Sequence, residues 1–143
     1  MPFRPTASRY GFACAVLLLL SGATTAADSF PFEQTLMLEG RPMPPVKRMP
    51  ILVVEPNGDA TIGLWCKTVR GRVVVTDSGI HIEPGPLPEE LPQYMASGQC
   101  TDERMKADQD MLDALMQVTG WQRKGGVIVL NGVQPMKFRP SGN

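Results

Sequence analysis

Apolar and polar residues alternate along much of the chain, at the spacing of two that lets a strand bury one face. Phe30, Phe32, Leu36 and Leu38 fall on alternate positions and predict one extended segment. Residues 40–50 break the pattern with Pro42, Pro44, Pro45 and Pro50 and read as an irregular loop. A β-branched strand is predicted over 51–55. It is followed by Pro56-Asn57-Gly58-Asp59, where Asn-Gly suits the positive φ angles of a type I′ hairpin. Ala60, Ile62, Leu64 and Cys66 alternate on the returning strand, with Thr61, Gly63 and Trp65 opposite. Val69, Gly71, Val73 and Val75 then alternate with Arg70, Arg72 and Thr76. Asp77-Ser78-Gly79 predicts a turn into a strand carrying Ile80 and Ile82, with His81 on its other face.

The period changes after a Pro- and Gly-rich stretch, 84–99, which reads as a surface loop pinned by Leu87, Leu91 and Tyr94. Thr101 is suited to cap a helix, and Asp102 and Glu103 suit its first turn. Met105, Leu112, Leu115 and Met116, flanked by Met111 and Val118, supply the apolar stripe, and Gly120 a stop. Lys124-Gly125-Gly126 turns the chain from a strand containing Trp121. Strands over 127–130 and 133–138 follow, with Asn131-Gly132 as a second type I′ signal. Strands joined by tight turns are antiparallel neighbours. The expected fold class is therefore α+β: an antiparallel sheet curled into a partial, cracked β-barrel, with one α-helix before the last strands.

The chain's ends set its compartment. Arg4 and Arg9, the apolar run 11–20 and the small residues Thr24-Thr25-Ala26-Ala27 have the layout of a secretory signal peptide over 1–27. The run is short of the ~20 residues that span a bilayer. The expected division is 1–27 as signal peptide and 28–143 as one small domain, with its core over about 34–139. Cleavage removes two of the 14 basic residues and none of the 14 acidic ones. The resulting slight negative charge argues against nucleic acid and against docking on anionic lipid. Periplasmic or secreted localisation follows, with no membrane anchor after cleavage.

Export changes the meaning of Cys66 and Cys100, the two cysteines left in the mature chain. An oxidising compartment favours a structural disulfide over two buried free thiols. Their spacing is not that of a Cys-x-x-Cys redox motif. Cys66, Cys100 and His81 are too few and too irregularly spaced for zinc, so no metal and no cofactor is expected. Glu89-Glu90, Asp108, Asp110 and Asp113 read as solvated carboxylates rather than acid–base pairs. Trp65, Arg70, Arg72 and Trp121 form the candidate binding surface. Arg70 and Arg72 share a strand face able to grip an anion, with ordinary surface charge as the competing reading. No catalytic residue set is assembled.

These residues resemble the META domain (HslJ-like) family of small bacterial envelope proteins. The likeness runs through Gly40-Arg41-Pro42, Gly58, Gly63-Leu64-Trp65-Cys66, Gly71, and Met95-Ala96-Ser97-Gly98-Gln99-Cys100. It continues through the helix to Leu115, residues 127–130, and Met136-Lys137-Phe138. It departs at Lys67, where the family usually has Asn, and in the looser stretch before Cys100. The resemblance implies a divergent, non-catalytic protein of envelope maintenance or stress tolerance that binds an unidentified envelope partner. The alternative expectation is a carrier or pilot-like protein holding a lipid tail, another apolar ligand or a partner peptide in a barrel cavity, made adaptable by soft Met side chains.

Overall fold

The alternating pattern resolves into eight strands among the described residues of the computed structural model, which are 1–3, 29–89, 93 and 96–141. They are β1 (Leu36–Leu38), β2 (Ile51–Val54), β3 (Asp59–Gly63), β4 (Thr68–Val75), β5 (Ile80–Pro84), β6 (Gly120–Lys124), β7 (Val127–Asn131) and β8 (Met136–Pro140). A 15-residue helix, α1 (Asp102–Met116), lies between β5 and β6. The strands form a single antiparallel sheet in the order β5-β4-β3-β2-β1-β8-β7-β6. The first strand β1 pairs with the last strand β8, Leu38 opposite Phe138, so these two strands meet in mid-sheet.

The two edge strands meet at a seam. Gly79 and Gly120 form a bridge, Ile80 N–H donates to Thr119 O at 3.2 Å and Trp121 N–H to Ser78 O at 2.9 Å. The sheet is a nearly closed, cracked barrel of the α+β class. Its inward residues, among them Leu36, Leu52, Val54, Ile62, Ile82, Ile128, Leu130 and Phe138, are all buried and fill the interior. From α1, Met111, Leu112 and Leu115 join that core. Phe30 packs edge-on against Trp121, ring centroids 5.2 Å apart, and both are buried in the same core.

Several local expectations change. Phe30 and Phe32 do not extend β1: the chain turns between them and Leu36, with Glu33 at φ 62°. In the β2–β3 hairpin the positive φ falls on Gly58 (90°) and not on Asn57. Gly58 N–H donates to Glu55 O at 2.9 Å, and Pro56 takes the second turn position that its ring favours. The loop is thus a three-residue turn with a left-handed glycine, not type I′. The tight two-residue turn is Gly125-Gly126, where Gly125 has φ 59° and Lys124 pairs with Val127.

Asn131-Gly132 is not a tight turn either. β8 starts at Met136, and Gly132 sits where a Cβ would lie 2.9 Å from Gln117 O just past α1. Gly120 does not stop the helix; it opens β6, and Gln117 caps α1. β3 ends at Gly63, so Trp65 and Cys66 lie in the β3–β4 turn rather than on a strand. Before α1, Ser97 N–H donates to Gln93 O at 3.0 Å, one helical turn where a loop was expected. Leu87 packs on the core, whereas Leu91 and Tyr94 lie outside the described residues. The signal-peptide reading also falls outside them, apart from residues 1–3. No helix among the described residues is long and apolar enough to cross a membrane.

Candidate functional site

The helix stripe does not stop at its apolar members. Counting back from Leu115 and Leu112 in steps of three and four leads to Asp108 and Arg104, and both are buried, at 0% and 1% exposure. Asp108 was expected on a solvated face. It instead turns inward and serves the β3–β4 turn. Its carboxylate accepts Cys66 N–H at 3.0 Å and Lys67 N–H at 2.9 Å, with a further backbone contribution from Trp65. These amides face away from the sheet ladder, so a buried acceptor is what allows the turn to leave water. Burial pushes the Asp108 carboxyl above its ordinary value, against the lowering effect of those amides and of Arg48.

Arg104 performs the complementary task for carbonyls. Its guanidinium donates to Trp65 O, to Met43 O and, at 3.2 Å, to Val46 O. Burial lowers its affinity for the proton, Asp108 one turn away raises it, and Arg48 lowers it again. Arg48 adds bonds from outside, to Lys67 O at 3.1 Å and Thr68 Oγ1 at 2.7 Å. The proline-rich loop and the β3–β4 turn are therefore clasped onto α1 by one helix turn of opposite charges.

The covalent link lies at the same place. Cys66 and Cys100 are disulfide-bonded, with Cα atoms 5.4 Å apart and a sequence separation of 34. Cys100 immediately precedes the helix cap Thr101, whose hydroxyl accepts Arg104 N–H at 3.3 Å. Beside the disulfide opens a cleft of about 570 Å³, walled by Val46, Arg48, Trp65, Lys67, Thr68, Pro88, Glu89 and Gln99. The two sulfur-bearing residues and Arg104 complete its lining.

The four residues expected to form a binding surface are not brought together. Trp65 is half-buried in the cleft wall. Arg70 and Arg72 lie on the outer face of β4, where Arg70 bonds Thr61 Oγ1 at 2.8 Å and Arg72 pairs with Asp59 at 2.6 Å. Trp121 is a core residue at 5% exposure, its indole N–H donating to Thr76 O at 2.9 Å, so it offers no surface. His81 stands on the outer face of β5, 3.1 Å from Glu83. Asp110 and Asp113 are exposed, and each accepts a hydrogen bond from the residue one turn earlier, Lys106 and Gln109. Glu89 lines the cleft, and Glu90 lies outside the described residues. Among the described residues no group of three or more His, Cys, Asp or Glu side chains is placed to hold a metal ion.

Sequence reasoning missed Arg104 altogether. The available signal was phase: 104, 108, 111, 112 and 115 continue one helical face, and a charge in phase with a buried stripe is a charge the fold takes inside. Against family models, curated proteins and solved structures the chain has no match.

Proposed function

We propose that this chain is a non-catalytic, exported META-like domain protein, periplasmic or secreted, that serves envelope maintenance or stress tolerance by binding a partner at the cleft beside Cys66. The observation that carries the reading is the clasped β3–β4 turn. It holds a half-buried Trp65 next to Lys67 on a backbone fastened by Asp108, Arg104 and the disulfide. Aromatic residues fixed in advance lose little entropy on binding and commonly anchor interfaces. The disulfide supports an oxidising compartment.

The reading is tested by placing a photo-crosslinking residue at Gln99, which lines the cleft and leaves Trp65 intact, and, as a control, at His81 on strand β5, in cells exporting the full chain. Discrete adducts from position 99 alone are expected. Absence of adducts at 99, or the same pattern from both positions, overturns the cleft as the binding site.

A further inference from the structure

We propose that Cys66 is a site of reversible S-thiolation: a small anionic thiol opens the Cys66–Cys100 disulfide and remains attached to Cys66. The inference concerns the sulfur chemistry of the cleft and is independent of which partner the cleft binds.

Three observations converge. First, both cysteines line the open cleft, and they differ in access. Cys66 is half-buried whereas Cys100 is buried at 6% exposure, so Cys66 is the more accessible of the two residues. Second, the surroundings favour negative charge. Arg48 and Lys67 line the cleft from its rim, opposed there by Glu89. Beneath them Arg104 is 1% exposed, and among the described residues its buried Nε has no hydrogen-bond partner. Cys100 stands directly before the cap of a 15-residue helix, at the end where the dipole stabilises an anion. The exposed Asp102 and Glu103 in the first turn act against this, screened by solvent. Third, the disulfide is one of several fastenings of the β3–β4 turn. Asp108 holds Cys66 N–H and Lys67 N–H, and Arg104 holds Trp65 O, so the turn stays in place when the sulfur bond opens.

The step balances as ordinary thiol–disulfide exchange. The thiolate attacks Cys66 Sγ, and a sulfur–sulfur bond forms between them. The Cys66–Cys100 bond breaks, and its electron pair leaves on Cys100 Sγ as a thiolate. One disulfide is lost and one gained, with no net oxidation. Return attack by Cys100 on Cys66 expels the small thiol and restores the bridge. The carboxylates of the incoming thiol are drawn by Lys67 and Arg48.

The test treats the purified, oxidised protein with glutathione, net negative, and with cysteamine, positive, at matched thiolate concentration. Peptide mapping locates the adduct. The expected result is a mixed disulfide on Cys66, a Cys100 thiol that alkylates once the acid-quenched protein is unfolded, and an unchanged far-ultraviolet spectrum before the quench. After correction for thiol basicity, glutathione is expected to react at least about tenfold faster, as charge steering allows. Lys67→Glu is expected to erase that preference, and added salt should shrink it in the unaltered protein, which covers the case of a variant that fails to fold. An adduct on Cys100, reaction only in denaturant, or equal rates for the two thiols overturns the proposal.

Discussion

Asp108 shows how far one side chain can depart from what its type suggests. A carboxylate on a helix is ordinarily a solvated group, yet this one is fully buried and accepts the N–H groups of two residues in the β3–β4 turn. Replacing it by Ala removes the acceptor that both N–H groups use. Asp108→Ala is therefore expected to destabilise the fold by about 2–4 kcal/mol, read from urea unfolding. The same residue gives a pH signature. Its native carboxyl titrates above the ordinary 3.8, mainly because of burial. The folded state thus holds this proton more firmly than the unfolded chain. The stability contributed by this group falls as pH rises from 3.8 through the native value, and the penalty is complete above it. Asp108→Asn does not titrate. The unfolding free energy of the natural protein minus that of Asp108→Asn should therefore increase on acidification through that window. A flat or falling difference would show that burial does not control this carboxyl.

At the scale of elements, the decisive contact is between α1 and the β3–β4 turn. Its register was half visible in the chain. Thr101 caps α1 as its residue type suggests, and Met111, Leu112 and Leu115 face the core. Met116, in the stripe that the spacing predicts, is 51% exposed, while Asp108 and Arg104 occupy the buried face one and two turns before Leu112. The stripe's lower half is polar because it packs against backbone, whose groups need hydrogen bonds, rather than against side chains. The disulfide adds a different kind of restraint to the same junction. Removing it with Cys66→Ser and Cys100→Ser together should lower stability by about 3–4 kcal/mol through the freed unfolded chain. Circular dichroism should remain that of the native fold, since the Arg104–Asp108 clasp persists. Loss of the folded spectrum at 25 °C would show that the clasp alone does not hold the turn.

For the whole molecule, closure is uneven. β1 and β8 lie in mid-sheet with partners on both sides, whereas β5 and β6 meet only around Gly79 and Gly120. A sheet is weakest where its ladder is incomplete, and local opening begins there. Hydrogen exchange should therefore be slowest for the amides that bond β1 to β8 and fastest for the seam amides of Ile80 and Trp121. Equal protection at both would mean that the barrel opens only as a unit. The helix lies beside this weak line because it is the connection from β5 to β6, and it delivers Val118 and Trp121 into the core as it returns to the sheet.

The sequence by itself determined most strand faces, the helix with its N-cap and the antiparallel connectivity, and it favoured the pairing of Cys66 with Cys100. Each of these follows from neighbours in the chain, from spacing of two or of three to four, or from the small number of sulfur atoms available. Only the tertiary structure decided the pairing of β1 with β8, the burial of Arg104 and Asp108, the separation of Trp65 from Trp121, and the cleft beside the disulfide. Those depend on which backbone groups from distant segments are left without partners once the sheet curls. A charged side chain satisfying a remote turn leaves no trace in local periodicity beyond being in phase with the residues around it.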